Sequence, residues 1–270
     1  MTGDETAKEA AIMAADQLLT RYHDDAGFIQ AWGVMGDEAE YRLIIDCLMN
    51  LPLLYWATEE TGDEKYADAA LNHFLNAART VYREDGSTYH TYYFDPETKE
   101  PAYGKTKQGY KDESAWSRGQ AWGMYGALLT YKYTGDERAY DAFLLATDYF
   151  LKNITMEIVP VWDFKIDGKA KPIRDTSAAV IAACALLEAA DMLEDSDPEK
   201  NRYLNFAHKM TDALIDGYMT FENEKANGIL TGVTQSYWTE ASHEQMTPYG
   251  DYFFLEVLHR MLDSDYENYW

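Results

Sequence analysis

Residues 104–126 read GKTKQGYKDESAWSRGQAWGMYG, the densest mixture of polar, aromatic and small residues in the chain. The stretch predicts a loop feeding a helix. Asp112, followed by Glu113, has the pattern of an N-cap with acid in the first turn, where free amides and the positive end of the helix dipole favour an oxygen acceptor. Trp116, Arg118, Gln120 and Trp122 then interleave with Gly119, Gly123 and Gly126. Each interior glycine costs about 1 kcal/mol relative to alanine, so such a helix calls for close backbone approach or a concavity beside it. A plain interior helix with core tryptophans is the competing reading.

Outward from this stretch, a turn signature recurs: Thr2-Gly3-Asp4, Thr61-Gly62-Asp63, Thr134-Gly135-Asp136, Asp195-Ser196-Asp197 and Asp263-Ser264-Asp265. The interval is roughly 60 to 70 residues, longer than a short helix-pair repeat and suited to two long helices plus a loop. Apolar, small-residue helices are predicted before the last four turns, over 44–60, 112–133, 175–193 and 249–262. More polar amphipathic helices are predicted after the first four, over 5–22, 64–82, 137–151 and 199–218. Inner helix, tight turn, outer helix is the unit, which predicts a single all-α domain of two concentric layers, toroid-like in architecture. The long connections over 24–41, 83–111, 152–174 and 220–248 are where binding residues are expected. Two of them, STYHTYYF (87–94) and IVPVWDF (158–164), have the composition of short β-hairpins.

Composition narrows the function classes. With 47 acidic against 23 basic residues among 270, the formal charge is −24, a field that repels nucleic acid and leaves any anionic ligand to local cations. Cys47 and Cys184 both lie in apolar helical patterns, which predicts buried thiols in a reducing compartment. No metal-binding spacing occurs, and no cofactor is called for. The longest apolar run, 178–187, is about half the ~20 residues needed to cross a bilayer. The residues after Met1 have neither a basic nor an apolar leader character, so a cytoplasmic location without membrane contact is expected.

The runs IIDCLMNLPLLYWATEETGD (44–63), YHTYYFDPETKEP, KTKQGYKDESAWSRGQAWGMYG, VWDF, RDTSAAVIAACALLE and YGDYFFLE, in this order, resemble the unsaturated glucuronyl hydrolases of glycoside hydrolase family 88. The resemblance implies an (α/α)₆ toroid whose central pocket removes the 4,5-unsaturated uronic acid from the non-reducing end of lyase-generated oligosaccharides. Carried over motif by motif, it puts the acid/base aspartate at Asp46 and pocket residues at His90, Gln108, Trp116, Arg118 and Trp122. Lys107 falls in the loop that helps select the neighbouring sugar. Asp112, Asp175 and Asp251 are expected to be helix caps. The family's second aspartate, in a His-Asp-x-Gly-Phe type motif on an earlier inner helix, has no counterpart here. Eight helices against the family's twelve imply either a member shortened by roughly 100 residues at its amino end or a start assigned to an internal methionine, and an exposed apolar amino-terminal side is expected to favour a homodimer.

The implied chemistry is protonation of the C4=C5 enol ether at C4, water addition at C5 and collapse of the hemiketal. One carboxyl group serves both steps if burial lifts its pKa towards neutrality, and Asp46 has the apolar neighbours Ile44, Ile45, Leu48 and Met49 to do so. Without the resemblance, an N-cap is the plainer role for Asp46. Arg118 meets a substrate carboxylate or hydroxyl, or else pairs with an inner-layer acid. Trp116 and Trp122 do not share a helical face, so at most one stacks on sugar. His90 donates to a hydroxyl or is structural. A non-catalytic member keeping only a sugar-binding groove, a helical-repeat scaffold and a toroidal epimerase are the rival functions; the scaffold has no use for glycine-tryptophan helices, and the epimerase needs a pair of inner-helix histidines.

Overall fold

The glycine-aspartate turns end one helix and start the next. Gly62 (φ 73°) and Gly135 (φ 65°) take the left-handed conformation that a Cβ disfavours, and their amides close the preceding helices on the carbonyls of Thr58 and Tyr131. The aspartate that follows then accepts from a first-turn amide: Asp63 from Lys65, Asp136 from Arg138, and likewise Asp4 from Thr6 and Asp197 from Glu199. The computed structural model describes residues 3–263 and Tyr266; Thr2 and most of the turn at 263–265 lie outside them.

In chain order the elements are α1 (Glu5–Leu19), β1 (Tyr22–His23), β2 (Phe28–Ile29), β3 (Arg42–Ile44), a 3₁₀ segment (Ile45–Asn50), α2 (Leu51–Thr61), α3 (Lys65–Thr80), β4 (Thr91–Phe94), β5 (Pro101–Lys105), α4 (Ser117–Thr134), α5 (Glu137–Asn153), α6 (Thr176–Met192), α7 (Pro198–Tyr218) and α8 (Pro248–Leu262). Helices α2 with α3, α4 with α5 and α6 with α7 pack as hairpins, and α2, α4, α6 and α8 pack in series as the inner layer. The fold is of the all-α toroid type. Helix α6 is buried from Thr176 to Ala190 and α4 from Ser117 to Thr130, whereas α3 and α5 bury one stripe each, the difference between a helix covered on all sides and one facing water.

The interior glycines of α4 are explained by close approach: a Cβ on Gly126 would meet Leu48, whose backbone carbon lies 3.1 Å away. That contact brings α4 against the 3₁₀ segment carrying Asp46. Polar pins cross the inner layer deeper down, where Glu188 of α6 takes Lys132 of α4 at 2.6 Å and Arg260 of α8 at 2.7 Å.

Four local expectations are corrected. Helix α4 starts at Ser117, not at 112, because a distant carboxylate claims the groups a first turn would use: Asp163 accepts from Tyr110 N, Ser114 Oγ and Ala115 N at 2.9, 2.5 and 3.1 Å. Asp112 is accordingly no cap, and accepts from Thr106 N across its own loop at 3.0 Å. Asp251 is no cap either; Thr247 caps α8, while Asp251 accepts from the amides of Ile229 and Leu230. The helix expected over 44–60 is split, since Ile44 is held in a strand and Pro52, lacking N–H, marks the change from 3₁₀ to α.

The 158–164 stretch forms only isolated bridges, Val161 to Arg174 and Asp163 to Trp116, with Pro160 interrupting any ladder. In contrast, β4 is the middle of a three-stranded antiparallel sheet, β3-β4-β5, with register Ile44↔Thr91↔Lys105 and Arg42↔Tyr93↔Tyr103. Asp175 caps α6 as expected, accepting from Ser177 N. Cys47 and Cys184 are buried free thiols. Among the described residues no helix is long and apolar enough to cross a membrane.

Candidate active site

Pairing of β3 with β4 sets the first contact. Ile45 N donates to His90 O at 3.0 Å, so the turn that leaves β3 and the residue that enters β4 face each other, and Asp46 Oδ2 lies 3.7 Å from His90 Nε2. The imidazole is oriented from its other side. His90 Nδ1 accepts from Lys107 N at 3.0 Å, an acceptor role that assigns the proton to Nε2 and aims it at Asp46. Burial, then the nearby charges of Arg118, Arg42 and Lys107, push the His90 pKa down to about 3, so the ring is a neutral donor at physiological pH and no counter-ion for the aspartate.

The α4 residues complete the cluster. The ring of Trp116 lies 4.5 Å from that of His90, and the Arg118 guanidinium sits over Trp116 at 4.6 Å and over Tyr249 at 5.2 Å. Arg118 is buried and heavily engaged: Nη1 donates to Asp175 Oδ2 at 2.6 Å, Ser177 Oγ at 3.1 Å and Thr234 O at 3.0 Å, and Nη2 donates to Gln235 O at 3.0 Å. The ion pair with an inner-layer acid, one of the two roles read from the sequence, is therefore the observed one. Its positive charge still favours the ionised form of Asp46.

Asp46 itself is no cap; no side-chain capping bond starts its segment. Desolvation raises its pKa to about 6, against the opposing pulls of Arg118, its own backbone environment and the Trp122 indole. About a third of the side chain (35%) remains accessible although Oδ2 is buried, so Asp46 is reachable from one side while the protein around it disfavours its charge. Four buried polar atoms here have no protein partner: Asp46 Oδ2, His90 Nε2, Trp116 Nε1 and Trp122 Nε1. Buried donors and acceptors are normally satisfied, and these four lie in one cluster, with the His90 N–H and the Trp122 indole both turned toward the Asp46 carboxyl.

Asp46, His90, Trp116, Arg118 and Trp122 are thus brought together. Both tryptophans are almost fully covered, so each offers its N–H or ring edge rather than an open face. Lys107 contributes its backbone, the amide orienting His90 while the side chain is exposed, and the Gln108 side chain donates to Gln235 O at 2.8 Å and ties two loops together. Tyr249, on α8, and Trp32, whose ring lies 6.4 Å from His90, were not singled out from the sequence. Tyr249 opens the quoted YGDYFFLE run, a usable signal; Trp32 lies in an aromatic connection that carries none. A shallow cleft of about 460 Å³ between α1 and α3, lined in part by Tyr22, Asp24 and Lys65, shares no residue with this cluster.

The chain thus builds two layers of helices of the toroid type, with an uncharged-leaning carboxyl beside indole and imidazole groups at the end of the inner layer. Residues 1–263 match the family model described as Glycosyl Hydrolase Family 88, and the chain belongs to that family. It is 44% identical to the unsaturated chondroitin disaccharide hydrolase of Streptococcus pyogenes serotype M1, over 98% of this chain and 66% of that protein. The crystal structure of unsaturated glucuronyl hydrolase from Bacillus sp. GL1 superposes with a TM-score of 0.93 at 42% identity, covering 97% of this chain and 70% of that one. A variant of the Streptococcus agalactiae enzyme complexed with dGlcA-GalNAc6S gives 0.81 at 39%, covering 100% and 66%. The chain spans about two thirds of the length of the curated relatives it matches.

Proposed function

We propose that this chain is a hydrolase acting on 4,5-unsaturated uronic acid at the non-reducing end of lyase-generated oligosaccharides, with Asp46 as proton donor. The carrying observation is Asp46 itself, its side chain about a third exposed and its carboxyl raised to about 6 by burial, with the N–H groups of His90 and Trp122 turned toward it. The carboxyl gives its proton to C4 of the C4=C5 double bond, leaving a cation at C5 shared with the ring oxygen. Water adds at C5 and returns a proton to the carboxylate, and the hemiketal opens with release of the remaining sugar. His90 Nε2–H and the Trp116 and Trp122 N–H groups hold sugar oxygens, and Arg118 favours the anion left after proton transfer. Lys107 and Gln108 shape the approach of the neighbouring sugar. The relatives' names, for unsaturated chondroitin disaccharide and glucuronyl substrates, support the class.

The test is turnover of an unsaturated chondroitin disaccharide, followed by loss of its conjugated ultraviolet absorbance. Because the acid form does the work, kcat is expected to fall on the basic side with a midpoint near pH 6; no turnover at any pH, or a rate that climbs through pH 8, overturns the assignment.

The free buried thiols support a reducing, cytoplasmic setting. The homodimer through the amino-terminal side draws support from the exposed Met13 of α1. A mass of about twice 30.9 kDa by light scattering is expected, and a monomer across micromolar concentrations sinks it.

A further inference from the structure

The connection after α3 contains a second pattern that the Asp46 cluster does not use. Strand alternation puts Tyr93 and Thr91 of β4 on one face, with Tyr103 and Lys105 opposite them on the edge strand β5 and Arg42 and Ile44 opposite them on β3. The register makes two parallel rows of side chains, and the nearer one, Ile44–Thr91–Lys105, begins two residues before Asp46. The farther row is a ladder of flat groups. The Arg42 guanidinium lies between Trp32 at 4.2 Å and Tyr93 at 4.8 Å, and Tyr93 stacks on Tyr103 at 4.8 Å and 20°. Lys105 Nζ sits 5.6 and 5.3 Å from those two rings. Through Trp32 and His90 the ladder is continuous with Asp46.

The inner end is buried, and the outer end is open: Tyr103 is 49% exposed and Lys105 is exposed. Among the described residues neither Lys105 nor Lys107 has an ion-pair partner, whereas Lys99 of the same connection pairs with Asp25 at 2.9 Å. Unpaired lysines beside a stacked tyrosine pair, in a protein of charge −24, are what an anionic, ring-shaped ligand requires. Two strand spacings put β5 about 10 Å from β3, farther than a single pyranose bound at Asp46 reaches.

We propose that Tyr103 and Lys105, backed by Tyr93, form a distal subsite that holds the reducing-side portion of acidic oligosaccharides longer than a disaccharide, the open ring of Tyr103 covering a sugar face and Lys105 meeting an internal uronate. The subsite rests on the proposed hydrolase reading, and its effect is on chain-length preference. The experiment compares kcat/KM on unsulfated unsaturated chondroitin tetrasaccharide and disaccharide. Tyr103→Ala is expected to lower the tetrasaccharide-to-disaccharide ratio about fivefold, through KM, and Tyr103→Phe, which keeps the ring, to preserve it. Lys105→Gln is expected to lower it about twofold at low ionic strength and not in high salt. An unchanged ratio in Tyr103→Ala, with the disaccharide still turned over, overturns the subsite and leaves the hydrolase standing. If neither substrate is turned over, the hydrolase reading falls, and the subsite is judged by calorimetric titration of the tetrasaccharide: weaker binding to Tyr103→Ala than to wild type upholds it, and equal binding or none overturns it.

Discussion

Replacing Asp46 by asparagine is expected to lower kcat on an unsaturated disaccharide by about 10³-fold, because one group both supplies the proton and takes one back from water. Asparagine keeps the shape and the neighbouring N–H donors, so KM should change little and the loss should fall on kcat. A variant retaining more than a tenth of wild-type kcat would remove Asp46 from the reaction. The same variant tests the electrostatics without substrate. An aspartate whose folded pKa of about 6 exceeds its unfolded value near 4 contributes stability that is fully present below about pH 4 and is lost as pH rises through about 6. Asparagine cannot ionise, so Asp46→Asn should melt about 2 °C above wild type at pH 8, a figure reduced for the partly open side chain, and level with it at pH 4. Equal melting at both pH values would mean that burial does not penalise this carboxylate.

Asp175→Ala is expected to be the most damaging single change to the fold near the site. Asp175 and Arg118 are both buried and meet at 2.6 Å, and removing one partner of such a pair leaves an uncompensated charge at a cost of about 3–5 kcal/mol. The lost cap on α6 adds about 1 kcal/mol. Calorimetry should show Tm lower by roughly 10 °C. Asp175→Asn keeps the cap and the volume and isolates the charge. With no anion to offset it, Arg118 acts more strongly on Asp46, lowering that pKa and moving the basic limb of the rate profile to lower pH. An unmoved limb in Asp175→Asn would mean that the pair is only a structural tie.

The helices were legible because their signals are local. Gly62 and Gly135 with the aspartates after them mark hairpin turns within four residues of sequence, and the all-apolar length of α6 against the one-sided α3 distinguishes inner from outer layer by covalent order alone. The failures came where a distant group won. Asp112 has every local mark of a cap, but Asp163, some fifty residues on, takes the amides and hydroxyl that would have formed its turn. Asp251 likewise serves a loop some twenty residues upstream rather than its own helix. For the site, the quoted motifs held the side chains that cluster around Asp46, but the partner of Arg118 and the places of Trp32 and Tyr249 depend on contacts between α4, α6, α8 and the sheet that no spacing encodes.

Residue order by itself determined the alternation of buried and half-buried helices, their stops and starts, and the acidic field that restricts which ligands approach, since each follows from side chains a few residues apart or from a simple sum of charge. Only the tertiary structure decided that Asp46 faces the Nε2–H of His90, that Arg118 is spent on Asp175, and that Tyr103 and Lys105 gather against Tyr93. Those relations join segments tens of residues apart, and desolvation, which lifts one aspartate among forty-seven acidic residues to near neutrality, is a property of what packs around a group rather than of its neighbours in the chain.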